Sequence, residues 1–140
     1  MSVIKYDLME LVYEETGNVL NVSWSDELSV ESSRFLQTVA FLFRTIQEKE
    51  VANLIIDSGM PAGGILTEEV IHCFIQNIPH TPLRKIALLE SPDYLWDDNL
   101  FQVISLLITS YSLPIEISML ESRSAAKKWF SCKDKLEAIR

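Results

Sequence analysis

The length, composition and charge of the chain exclude several broad classes of protein. Its 140 residues are 48% hydrophobic, which suits one globular domain and excludes a disordered chain. The formal net charge of -8 argues against nucleic acid or an anionic membrane as a partner, because both attract basic surfaces.

The first part of the chain predicts a hairpin followed by a long helix. The segment from Tyr6 to Glu14 is rich in aromatic and apolar residues, which is typical of a strand. A Gly/Asn turn follows, and from Leu20 to Ser25 apolar and polar residues alternate, which indicates a second, half-buried strand paired antiparallel to the first. Apolar residues at three- and four-residue spacing then predict an amphipathic helix over roughly Ser29 to Glu50.

An uninterrupted apolar run predicts the central strand of a sheet. Leu54, Ile55 and Ile56 follow Asn53, and such a run is typical of a strand buried on both faces. Ligands of open α/β sheets bind outside the carboxyl ends of the strands, so we expect any binding site near the end of this run. The ligand-binding candidates are the polar and glycine residues that follow the strand or begin the next helix: Asp57, Ser58, Gly59, Gly63, Gly64 and Thr67.

Two further strand and helix units follow. Thr67 is placed to cap a helix with acidic residues in its first turn. The run from Ile86 to Leu89 predicts another buried strand. Asp97 or Asp98 is placed to cap a third helix that continues to about Ser112.

The chain closes with a strand and a short helix. Ile115, Ile117 and Met119 alternate with polar residues, which indicates a strand at or near the edge of the sheet. Ser122 is placed to cap the last helix, whose Trp129 and Phe130 should pack on the sheet. The charged residues from Lys133 to Arg140 could extend this helix.

The order of these elements predicts a single α/β domain over residues 1–140. A hairpin followed by alternating strands and helices implies a mixed sheet of about five strands with about four helices. Cys73 and Cys132 provide no disulfide framework, and the N-terminus lacks a signal-peptide pattern. No apolar stretch is long enough to span a membrane. We therefore expect a cytoplasmic protein.

Three segments carry a resemblance to a known family: Val22-Ser23-Trp24, the strand ending in Asp57, and Met119 to Phe130 with its pair of alanines before the aromatic residues. Together with the element order they resemble the STAS family, whose founding members are anti-sigma-factor antagonists. The closer likeness is to small stand-alone STAS-like proteins related to lipid carriers of the CRAL-TRIO kind. The resemblance implies a non-enzymatic module that binds a protein partner or itself, or alternatively a carrier or sensor of a small apolar, lipid-like ligand.

The chain departs from the phosphorylation motifs of two families. STAS antagonists carry a phosphorylated serine where the helix after the central strand begins, whereas Ser58 lies at the strand end and the nearest hydroxyl to the helix start is Thr67. The segment in which Met60-Pro61 follow Asp57 resembles the phosphoacceptor segment of response-regulator receivers. They also need an acidic pair that binds magnesium and a lysine after the last strand, and the expected positions lack both. A phosphoryl-accepting regulator is therefore the least favoured of these functions.

The sequence contains no recognisable catalytic or metal-binding set. His72, Cys73 and His80 lack the spacing of metal ligands, and neither cysteine belongs to a CxxC pair. Ser58 lacks the G-x-S-x-G context of a nucleophile. We expect no catalytic residues, no metal and no cofactor.

The third predicted helix is apolar on nearly all sides. Successive helical residues turn by about 100°, so such a helix cannot direct every apolar side chain at one sheet. One interpretation is a wide core-facing stripe with scattered surface groups, and the other is a contact surface, for which we expect a homodimer. The interface candidates are Trp96, Leu100, Phe101, Ile104, Leu107, Ile108 and Tyr111.

Overall fold

Six strands form one mixed sheet in the computed structural model, which describes residues 2–7, 9–24, 33–57, 66–91 and 94–131. The strands are β1 (Ser2–Tyr6), β2 (Met9–Glu14), β3 (Val19–Trp24), β4 (Asn53–Asp57), β5 (Lys85–Leu89) and β6 (Glu116–Leu120). The helices are α1 (Ser33–Lys49), α2 (Glu68–Asn77), α3 (Tyr94–Ser110) and α4 (Arg123–Phe130), and a 3-10 turn spans Ile78–His80. This arrangement confirms the predicted α/β class and its mixed sheet.

The strands lie side by side in the order of the sequence. β1, β2 and β3 pair antiparallel, and β3, β4, β5 and β6 pair parallel, which leaves β1 and β6 at the two edges. The central position of β4 and the edge position of β6 were both predicted. The parallel register aligns one row of residues at the amino ends of the strands: Val19, Asn53, Lys85 and Glu116.

The sheet has one more strand than predicted, because Ser2–Tyr6, most of which precedes the strand predicted over Tyr6 to Glu14, forms β1. The chain turns at Asp7, which has a φ of 54°, and Ser2–Tyr6 pairs back on Met9–Glu14. Aspartate adopts this left-handed conformation more readily than most residues, so it permits a tight turn inside an otherwise strand-like segment.

Helices cover both faces of the sheet unequally. Leu54 and Ile56 point into a large core shared with α1, α2 and α3, whereas Ile55 points to the other face, where α4 lies. Ala126 of α4 is fully buried there, and Trp129 and Phe130 are half-buried against the same small cluster. This contact confirms the predicted packing of the two aromatic residues on the sheet.

The helix boundaries differ from the prediction mainly in α3. It begins at Tyr94, so Asp97 lies in its first turn and is not the cap residue. The Asp97 carboxylate is buried and accepts hydrogen bonds from the backbone N–H and the hydroxyl of Ser91, at 2.7 and 3.0 Å. The predicted start of α1 at Ser29 and the tail from Lys133 to Arg140 lie outside the described residues.

Candidate functional site

The carboxyl end of β4, where we expected a site, is occupied by an ion pair. Asp57 is partly exposed, and its Oδ2 lies 3.3 Å from Nη2 of Arg123 on α4. The same guanidinium donates to Ser23 Oγ at 3.1 Å and to Asn21 Oδ1 at 3.3 Å. Asp57 therefore faces α4 and takes part in the contact that joins this helix to the sheet.

The other ligand-binding candidates do not join Asp57 in a described site. Thr67 is the N-cap of α2, and its hydroxyl accepts a hydrogen bond from Val70 N at 3.3 Å. Because α2 packs on the face opposite α4, the structure places Thr67 and the Asp57 side chain on different sides of the sheet. Ser58, Gly59, Gly63 and Gly64 lie outside the described residues.

A polar network lies between α4 and the sheet beside the Arg123 contact. Asn21 is buried, and its amide donates to Glu14 Oε2 at 2.8 Å. Lys127 donates to the other oxygen of Glu14, also at 2.8 Å. The hydrogen bond from Lys127 lowers the pKa of the Glu14 carboxyl below its ordinary value, and the one from Asn21 acts in the same direction.

A cleft of about 460 Å³ adjoins this network under the last turn of α4. It lies at the amino ends of β4 and β5, whereas we expected a site at the carboxyl end of β4. Its wall includes basic, acidic and apolar side chains: Glu14, Val19, Arg84, Lys85, Lys127 and Phe130. Nothing in the local sequence marks these residues as one site, because they are brought together only when α4 docks on the sheet.

Lys85 is the most unusual residue of the cleft wall. It begins β5, and only 8% of its surface is exposed. Its Nζ donates to Trp129 O at 3.0 Å and lies 5.1 Å from the centroid of the Trp129 ring. The only indication of this residue in the sequence is weak: a charged side chain directly precedes the apolar run from Ile86 to Leu89. We did not predict a role for Lys85 from it.

The predicted interface on α3 is largely part of the core. Four of its candidates are buried against the sheet and the neighbouring helices: Trp96, Leu100, Ile104 and Leu107. Phe101 and Ile108 are half-buried against the same core, and Tyr111 is 51% exposed. These four residues contribute to the core, because their spacing directs them to one side of the helix. The apolar surface of α3 instead includes Leu95 and Leu106, which are 64% and 66% exposed.

The two histidines and the described cysteine differ in exposure. His72 and His80 are exposed, and burial raises the pKa of the half-buried Cys73 thiol, which disfavours its thiolate. Within the residues that the structure describes, no three His, Cys, Asp or Glu side chains are close enough together to hold a metal ion. None of the described helices combines the length and the apolar character needed to cross a membrane.

Comparison of the chain with protein-family models, with curated proteins and with solved structures finds no match. Two surfaces of the described structure are candidate functional sites: the outer side of α3, with its exposed leucines, and the cleft under α4. They lie on opposite faces of the sheet, since α3 packs with the large core and α4 with the small one.

Proposed function

We propose that the protein is a non-enzymatic STAS-like module that associates with a second copy of itself through the outer side of α3. From β2 onward the elements follow the order on which the STAS resemblance was based, and β1 is an additional edge strand outside that order. The fold alone does not specify a partner, so the proposal rests on the surface of α3.

The observation that carries the proposal is the pair of exposed leucines on α3. Leu95 and Leu106 are separated by eleven positions, which places them about three turns apart on nearly the same side of the helix. Both expose about two thirds of their surface. Each large apolar side chain left in water forgoes roughly 1.5–3 kcal/mol of burial, so covering both is favourable.

A second copy is a suitable partner because the surface is self-complementary. An antiparallel pair of α3 helices related by a two-fold axis, centred between Asn99 and Gln102, brings Leu95 of one copy against Leu106 of the other. The same arrangement aligns Asn99 with Gln102 across the axis. Asn99 Oδ1 accepts a hydrogen bond from Leu66 N at 2.8 Å, which leaves the amide N–H groups of Asn99 to donate to Gln102 of the other copy. The net charge of -8 opposes association, so the dimer should become stronger as salt screens this repulsion.

Sedimentation velocity at micromolar concentration, in low and high salt, tests the proposal. We expect a dimer that is more populated in high salt, and a monomer for Leu106→Glu. Gln37→Glu adds the same charge at an exposed position of α1 and should remain dimeric. A wild-type monomer under both conditions contradicts self-association, and a dimeric Leu106→Glu protein contradicts the proposed surface.

A further inference from the structure

The described wall of the cleft under α4 holds more basic than acidic side chains. Among the described residues of its wall are three cations, Arg84, Lys85 and Lys127, and one carboxylate, Glu14. The whole chain has a formal net charge of -8, so this region is opposite in sign to the average surface. A concave region of one charge attracts small ions of the other.

The single carboxylate of the wall is already engaged. Glu14 accepts hydrogen bonds from Lys127 and Asn21, each at 2.8 Å, so its charge is matched by Lys127. Arg84 is exposed, and its side chain forms no ion pair with the described residues. Two of the three cations, Arg84 and Lys85, therefore form no ion pair with the described residues, although Glu116 is the neighbour of Lys85 on β6.

Lys85 gives the strongest indication of a ligand. More than nine tenths of its surface is buried, yet no carboxylate of the described residues lies within 4.0 Å of its Nζ. An ammonium group has three N–H donors, and the described residues provide one hydrogen-bond acceptor, Trp129 O at 3.0 Å, beside the Trp129 ring, whose centroid is 5.1 Å from Nζ. Burying a charge without a counter-charge is unfavourable, so an anion in the cleft would relieve this cost.

The bond from Lys85 to Trp129 O also removes an obstacle to anion binding. The carboxyl end of a helix carries partial negative charge, which would repel an anion near the last turn of α4. Because Lys85 donates directly to a carbonyl of that turn, it offsets this charge where the cleft meets the helix. The apolar side of the wall is formed in part by Val19 and Phe130.

We propose that this cleft binds a small organic anion, with its carboxylate or phosphate group held by Lys85 and Arg84 and a short apolar part against Val19 and Phe130. The volume of about 460 Å³ lies within the range of small-molecule sites. The site is independent of the proposed dimer surface, since α3 and α4 cover opposite faces of the sheet.

Amide NMR titration of the full chain tests the proposal with three probes: hexanoate, hexanol and inorganic phosphate. Hexanoate should cause saturable shifts at amides of the cleft wall, such as those of Gly17, Asn53 and Ser131. Hexanol has the same apolar part without the charge, and phosphate has the charge without the apolar part. We expect each of them to bind at least about tenfold more weakly.

Substitutions distinguish binding of hexanoate in the cleft from nonspecific attraction to positive charge on the surface. Arg84→Gln and Lys85→Met should each weaken hexanoate binding by about tenfold or more, whereas Lys5→Gln, at an exposed lysine of β1, should leave it unchanged. Arg84 is exposed, so its variant tests the site even if Lys85→Met does not fold. The proposal is overturned if hexanoate causes no saturable shift at about 10 mM, if Arg84→Gln binds as the wild type does, or if phosphate or hexanol binds equally well.

Discussion

Arg123 of α4 lies against Asp57 at the carboxyl end of β4, with Nη2 3.3 Å from Oδ2. The guanidinium also donates to Ser23 and Asn21, so one side chain joins α4 to two neighbouring parallel strands. Both members of the ion pair are partly exposed, and such pairs contribute little stability. The ion pair matters more for the predicted site, because it holds the carboxylate of Asp57 in the contact between α4 and the sheet.

We expect no phosphoryl transfer to Asp57. Its carboxylate is paired with Arg123, and the described part of the chain holds no group of side chains suited to a metal ion. Transfer of a phosphoryl group relies on metal ions to neutralise the developing charge. Incubation with acetyl phosphate and magnesium should therefore leave the mass of the protein unchanged. A stoichiometric phosphoryl adduct that disappears in Asp57→Asn would restore the receiver-like hypothesis.

Two adjacent residues of α3 should differ sharply in their effect on stability. Trp96 is fully buried, and its ring contacts Phe35 edge-on with the centroids 6.0 Å apart. Its replacement by alanine should lower the free energy of unfolding by about 3–5 kcal/mol. Leu95→Ala, at a position 64% exposed in the single chain, should change it by less than about 0.5 kcal/mol at concentrations low enough to keep the protein monomeric. Urea unfolding of both variants measures the difference, and similar losses would contradict the described orientation of the helix.

Features with a local chemical cause were predictable from the sequence. The unbroken apolar run of β4 indicated burial on both faces, and Ile55 and Ile56 do point to opposite cores. Ser122 was correctly predicted as a cap, because a hydroxyl placed before a helix satisfies a backbone N–H that has no partner in the helix. Its Oγ accepts from Ala125 N at 3.1 Å.

Features that depend on the docking of distant elements were not predictable in this way. The strand Ser2–Tyr6 was not predicted, because it is defined by its pairing with Met9–Glu14 across the turn at Asp7. The apolar residues of α3 did not reveal which side faces the sheet, and four proposed contact residues are in the core. The cleft joins Glu14, Lys85 and Phe130, which are far apart in the chain and meet only where α4 crosses the sheet.

Thr67 was a candidate for ligand binding, and the structure shows it as the N-cap of α2. Substitutions test whether its hydroxyl stabilises the helix. Thr67→Ala removes the acceptor for Val70 N and should lower the free energy of unfolding by about 0.5–2 kcal/mol. Thr67→Ser keeps the hydroxyl and should retain most of the stability. Thr109→Ala makes the same change at an exposed position of α3 and serves as the control in urea unfolding. Equal losses for the serine and alanine variants would show that the methyl group matters more than the hydroxyl.

The ion pair between Glu14 and Lys127 should make stability depend on pH in acid. The hydrogen bond from Lys127 lowers the pKa of Glu14 in the folded protein below its ordinary value of 4.5. Folding therefore favours the ionised carboxylate. The resulting stabilisation is fully present above pH 4.5, and it is lost as the pH falls through the lower pKa of the folded state.

Glu14→Gln should be less stable than the wild type at neutral pH, by up to about 1 kcal/mol, because the pair is partly exposed. The difference should shrink as the pH falls below 4.5, since the wild-type carboxylate then gains a proton as well. Glu48→Gln removes the same charge from an exposed position of α1 that forms no ion pair with the described residues. Free energies of unfolding in urea, measured for all three proteins from neutral pH to about pH 3, provide the test. A difference between Glu14→Gln and the wild type that stays constant across this range would show that packing, and not charge, accounts for it.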